Sequence, residues 1–174
     1  GSFCVTLIGL RNNFCYNGSM SQSEKRFSNK AGEEYDLFGL ALPHQDEIQK
    51  RTTQTLINHF SNKITKIDVL EIGFGTGITS LELLSSDARI KLVAIDNEPA
   101  MYDKALSKLV TISKKRFELK TIDALEYLKS QPDNSFDAII SVWVLHNIQK
   151  EIRNEILIEI YRILKTNGIF VNGD

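Results

Sequence analysis

The stretch Val69-Leu70-Glu71-Ile72-Gly73-Phe74-Gly75-Thr76-Gly77 constrains this chain more tightly than any other. An apolar run of strand length, Ile67 to Ile72, leads into three glycines at alternate positions, and Ile78 to Ser86 then reads as a helix. Glycines so spaced let the backbone turn sharply and approach a ligand with no Cβ in the way, and they deliver that ligand to a helix N-terminus. Strand, tight turn and helix make the first half of a βαβ unit. The chain is thereby committed to parallel pairing, which needs crossover helices.

Further strand-length apolar runs lie at Ile90 to Ile95, Phe117 to Ile122, Phe136 to Ser141 and Ile169 to Val171. Several are apolar on both faces, as strands are when helices cover a sheet above and below. Between them, Asn97 is placed to cap a helix carrying Met101, Ala105 and Leu109, and Ala124 to Ser130 forms a short helix. Ile152, Ile156, Ile160, Ile163 and Leu164 then form an amphipathic stripe ended by Asn167-Gly168. Ahead of the first strand, Pro43 suits a first helical turn, and Ile48, Thr52, Leu56 and Phe60 recur at helical spacing. This alternation predicts a doubly wound, mostly parallel α/β sheet with helices on both faces. Residues 1–34 have no sustained period and read as a flexible or vector-derived N-terminal arm, leaving residues 35–174 as one domain.

Lysine and arginine total 21 against 22 acidic residues, for a net charge of −1. No global positive field gathers phosphate backbones, so stand-alone nucleic-acid binding is disfavoured. Cys4 and Cys15 make neither a disulfide framework nor a metal-ligand pattern, so a reducing, cytoplasmic setting and no metal are expected. No apolar run approaches the ~18 residues of a membrane span.

In a doubly wound sheet the ligand lies at the carboxyl ends of the strands, near the point where strand order reverses. A dinucleotide fingerprint places its last glycine at the sixth position, but counting from Gly73 that position holds Ile78, and the glycine falls one earlier. Glu71 stands just ahead of the turn. A carboxylate there repels a pyrophosphate and attracts a cation. Asp96 ends the second strand, about 20 residues beyond the turn, where a carboxylate can accept hydrogen bonds from both hydroxyls of a ribose. Asp123 stands at the capping position of the short helix. Ser141 closes the fourth strand with a small residue, and Trp143 and His146 enter the loop beyond it.

Taken in order, these stretches resemble the class I S-adenosylmethionine-dependent methyltransferases over roughly residues 31–174. Glu71 to Gly77 is similar to that family's first motif, and Asp96, followed by Met101 and Ala105, to its second. Asp123-Ala124 is similar to the adenine-side motif, Phe136 to Ser141 with Leu145-His146-Asn147 to the fourth-strand motif, and Arg162 to Phe170 to the passage into the fifth strand. The resemblance implies a Rossmann-like fold, with S-adenosylmethionine as cofactor and S-adenosylhomocysteine as product. It implies that Gly73, Gly75 and Gly77 line the methionine and ribose portion, Glu71 orients it, Asp96 holds the ribose diol, and Asp123 and Ala124 border the adenine. Phe74, Asn97 and Ser141 complete the cofactor edge. Phe27 to Leu37 resembles a pre-domain element in which Tyr35 closes over the cofactor; Tyr35, Trp143 and His146 are the substrate-side candidates. The family's sheet has seven strands, the last antiparallel, whereas this sequence ends after the fifth, at Asp174. A fifth strand left as a bare edge tends to pair with another chain, so the expectation is either a sequence truncated after that strand or an edge covered by a partner, as in a homodimer.

Methyl transfer from a sulfonium is an in-line displacement of an already activated group, so positioning and exclusion of water suffice and no catalytic residue is assigned. His146 has the chemistry of a base near neutrality, and Trp143 that of an apolar wall. The expected acceptor is a small molecule. The rival readings are an RNA or protein methyltransferase that borrows recognition from a partner, and a non-catalytic cofactor-binding module. A nicotinamide-dependent reductase is disfavoured by Glu71 and Ile78.

Overall fold

A computed structural model of the protein describes residues 4–8 and 45–174. Tyr35 and the stretch Phe27 to Leu37 lie outside the described residues. The elements run β1 (Cys4–Ile8), α1 (Gln45–His59), β2 (Ile67–Ile72), α2 (Ile78–Ser86), β3 (Ile90–Asp96), α3 (Pro99–Lys108), β4 (Phe117–Thr121), α4 (Ala124–Ser130), β5 (Phe136–Val142), a 3-10 turn (Leu145–Asn147), α5 (Lys150–Ile163) and β6 (Leu164–Gly173). They build one sheet in the order β1-β6-β5-β2-β3-β4, every pair parallel.

From β2 the chain steps outward to β3 and β4, and α2 and α3 cover one face. It then returns to β5 and β6, which puts α4 and α5 on the other face. Successive residues of the central strands therefore enter different cores. Val69, Ile140 and Val171 pack with Leu56, Leu83 and Ala105 from α1 to α3, while Leu70, Ile139 and Phe170 pack with Leu128, Ile156 and Ile160 from α4 and α5. This is the two-sided burial that the continuous apolar runs predict.

Three expectations are corrected. The fifth predicted strand, β6, is not a bare edge, because β1 lies along it in register from Cys4 opposite Ile169 to Ile8 opposite Gly173. The step from β1 over β6 and β5 to β2 is itself a parallel crossover, and α1 packs on β5 and β6 on the same face as α2 and α3. The surface expected to carry a homodimer is thus occupied by the chain itself, within a segment read as a flexible arm. The apolar stripe of α5 also stops at Ile163. Leu164 is in phase with it but opens β6 and pairs with Phe136. Asn167 (φ 64°) and Gly168 then lie inside β6 beside an irregularity in its pairing with β5, where a Cβ on Gly168 would meet the Lys165 carbonyl at 2.8 Å and that of Asp137 at 2.9 Å. Finally, Asn97 does not cap α3. Pro99 occupies the first turn, so the cap falls to Glu98, whose carboxylate accepts from the Ala100 N–H at 3.5 Å.

Candidate functional site

Strand order reverses between β2 and β5, where Ile72 lies opposite Ser141, and the loops leaving these two strands define the candidate site. The glycine turn is tied to the tip of β3, since the N–H groups of Gly73 and Phe74 both donate to the Ile95 carbonyl, at 2.7 and 3.1 Å. All three glycines have positive φ, +79°, +49° and +86°. Their surroundings separate their duties. A Cβ on Gly73 would lie 2.3 Å from Val144 Cγ2 and one on Gly77 2.8 Å from Ala105 Cα in α3, whereas one on Gly75 would meet none of the described residues within 4 Å. Gly73 and Gly77 therefore let the turn pack against its neighbours, and Gly75 leaves open space above it. Phe74, expected at the cofactor edge, has its side chain buried in the core against α1 to α3.

The two carboxylates picked out in the sequence come together here. Glu71 is 2% exposed and accepts a hydrogen bond from the Ser80 hydroxyl of α2. Burial pushes its carboxyl up to about 8; the Ser80 bond opposes this and the nearby Asp96 charge reinforces it. Asp96 accepts from the Gly75 N–H at 2.8 Å through Oδ2 and from the Glu98 N–H at 2.9 Å through Oδ1. Burial still holds its carboxyl above the usual range, against the pull of those bonds. Two neighbouring acids that both bind protons too readily mark a place short of positive charge. Asn97, beside them, is exposed.

At the tip of β4, the Ile122 N–H donates to the Asp96 carbonyl at 2.9 Å, which brings Asp123 and Ala124 alongside. The exposed Asp123 caps α4, accepting from the Glu126 N–H at 3.0 Å. Across the order reversal, Ser141 is fully buried and its hydroxyl has no partner among the described residues. Trp143 follows at φ +60°, an uncommon conformation for a bulky residue, held by its N–H donating to the Gly173 carbonyl at 2.8 Å. Its indole packs toward the core of α1 to α3 and its buried Nε1 has no partner among the described residues. The exposed His146 ring stands edge-on to Trp143 with centroids 6.1 Å apart.

Two residues here escaped the sequence reading. Asn172, opposite Ser141, donates through Nδ2 to the Asp174 carboxylate at 3.0 Å, and Asp174 in turn pairs with His146 Nδ1 at 2.9 Å. The signal was an Asn and an Asp two residues apart at the end of an apolar strand, placing both on one face. Among the described residues, no helix is long and apolar enough to cross a membrane, and no group of three or more His, Cys, Asp or Glu residues could hold a metal ion.

Comparison with known proteins bears on this edge. The family model described as a methyltransferase domain matches residues 69–168, from within β2 to within β6. Carboxy-S-adenosyl-L-methionine synthase of Nautilia profundicola is 29% identical over 139 residues, which make up 80% of this chain and 56% of that protein. The reducing polyketide synthase Preu2 of Preussia isomera is 31% identical over 126 residues, 71% of this chain and 5% of that protein. The chain thus spans about half of one of these relatives and a small part of the other. Among solved structures, a Methanococcus maripaludis protein described as an S-adenosyl-L-methionine-dependent methyltransferase shares the fold, with a TM-score of 0.68 and 24% identity over 88% of this chain and 67% of that one.

Proposed function

The chain belongs to the class I, S-adenosylmethionine-dependent methyltransferase family, and from that premise we propose that it transfers a methyl group from S-adenosylmethionine to a small-molecule acceptor at the β2/β5 edge. The observation that carries this reading is the pair of proton-hungry carboxyls, Glu71 and Asp96, beside the open space above Gly75. These residues fit the cofactor's chemistry. Beyond the backbone N–H groups that it already accepts, the Asp96 carboxylate has acceptor capacity left for a ribose diol. Glu71 supplies negative charge once a cation draws off its proton, and Asp123 with Ala124 would border the adenine. When bound, the cofactor supplies a methyl group already activated on a positively charged sulfur. The residues of this chain then have to hold the two reactants in line and keep water away.

A small acceptor is supported by the net charge of −1, which gives no net positive field to gather a phosphate backbone, and by likeness to a relative named for making carboxy-S-adenosyl-L-methionine. The test is transfer of a labelled methyl group to a panel of small amines, alcohols and thiols, with bulk tRNA and a protein extract run in parallel. Label is expected in a small product. Label entering only tRNA or protein would replace this acceptor class with the other.

A further inference from the structure

At the carboxyl ends of β5 and β6, two buried side-chain oxygens lack partners. Ser141 is fully buried and Asn172 is 8% exposed, yet among the described residues Ser141 Oγ and Asn172 Oδ1 have no hydrogen-bond partner. The residues are register partners on adjoining parallel strands, so both side chains leave the sheet on one face. Buried polar groups without partners are costly, and a pair of them at the ligand edge calls for a ligand that matches them.

What would match is set by their neighbours. The amide of Asn172 is oriented by Asp174, since turning it over would set two oxygens against each other, and Oδ1 is therefore the free end. Asp174 is held further by His146 Nδ1 at 2.9 Å, and His146 Nε2 lies 3.0 Å from the Asn147 amide nitrogen. Among the described residues, the side chains bonded to the Asp174 carboxylate are Asn172 and His146, neither a lysine nor an arginine. A hydroxyl, an acceptor-only amide oxygen and a carboxylate together ask for a ligand that brings N–H donors and tolerates negative charge. A carboxylate or phosphate would meet lone pairs.

We propose that Ser141 and Asn172 recognise an amine acceptor, whose nitrogen donates N–H groups to Ser141 Oγ and Asn172 Oδ1 and keeps its lone pair free. This rests on the reading of the site as a methyltransferase. An amine that enters as its ammonium ion first gives one proton to solvent; with the two remaining N–H groups held, the lone pair forms the new N–C bond as the C–S bond breaks and its electrons go to sulfur. The proton that the product nitrogen then carries in excess leaves to solvent.

The test uses protein saturated with S-adenosylhomocysteine and follows the Asn172 side-chain amide by NMR during titration with propylamine, propan-1-ol or propionate. Propylamine is expected to shift the resonance saturably and to bind more tightly than the other two. Asn172→Leu is expected to weaken propylamine about tenfold, read from other shifted resonances, with the Kd for S-adenosylhomocysteine unchanged. Ser141→Ala, a small change that keeps the strand, is expected to weaken propylamine similarly. Equal binding of propan-1-ol or propionate overturns the proposal. So does an Asn172→Leu variant that loses S-adenosylhomocysteine instead, because the pair would then hold the cofactor. Failure of S-adenosylhomocysteine to bind the unaltered protein would remove the functional reading itself, whereas its binding without any response to propylamine overturns this proposal alone.

Discussion

Glu71 is buried beside Asp96, so its carboxyl moves from 4.5 to about 8, and the folded protein keeps a proton there that the unfolded chain gives up. A proton held more tightly in the folded state contributes stability that is fully present below about pH 4.5 and is lost as pH rises toward 8. Glu71→Gln is therefore expected to flatten the decline in stability between about pH 5 and 8, read as the difference in denaturant midpoint between wild type and variant. Binding of S-adenosylmethionine should release a proton, visible as a binding enthalpy that changes with the ionisation enthalpy of the buffer. The glycines give a second contrast. Gly75→Ala places a methyl in open space at φ +49°, a backbone cost of about 1–2 kcal/mol, and is expected to fold while losing affinity for S-adenosylhomocysteine. Gly77→Ala drives a methyl into the α3 backbone and is expected to lower the melting temperature well beyond the Gly75 change. Calorimetric melting and ligand titration of both variants separate the two roles.

Between elements, Asp137 at the amino-terminal end of β5 ties the molecule together on the side away from the site. Its carboxylate accepts from Lys63 at 2.5 Å after α1, from the Asp68 N–H at 2.8 Å in β2 and from Lys165 at 3.1 Å in β6. Burial raises its carboxyl, but the bonds from Lys63, Asp68 and Lys165 win and hold it below the usual range, so its contribution is present above about pH 4 and lost in acid. Asp137→Ala is expected to cost on the order of 2–4 kcal/mol in urea unfolding, with S-adenosylhomocysteine affinity retained. A loss of ligand binding without a loss of stability would contradict this assignment. Strands β2 to β5 were legible because each is a bounded apolar run, and the pairing of Glu71 with Asp96 because a parallel register fixes where strand tips fall. The end of α5 was not, since Leu164 fits the helical stripe as well as it fits a strand and only pairing with Phe136 decides. Asn172 and Asp174 were missed for a related reason: their meaning depends on Ser141 and His146 across the sheet, which a single strand's pattern does not contain.

For the whole molecule, the unforeseen feature is β1, whose five residues have no helical or alternating context of their own and become a strand only against the edge of β6. Deleting residues 1–10 is expected to lower the melting temperature and promote self-association through the uncovered strand, as measured by light scattering across a concentration series. An unchanged melting temperature and a monomeric truncated chain would contradict a structural role for β1. The sheet thereby closes one flank and leaves the reversal between β2 and β5 as the place where chemistry is arranged, with the paired acids on one side and the Ser141–Asn172 edge on the other. The proposed function requires that place to prefer a positively charged nucleoside to a dinucleotide. Calorimetric titration of the protein and of Asp96→Ala with S-adenosylmethionine and with NAD tests this most directly. One-to-one binding of S-adenosylmethionine that is lost in Asp96→Ala, with no binding of NAD, is the predicted result; saturable binding of NAD, or S-adenosylmethionine affinity untouched by loss of Asp96, would contradict it.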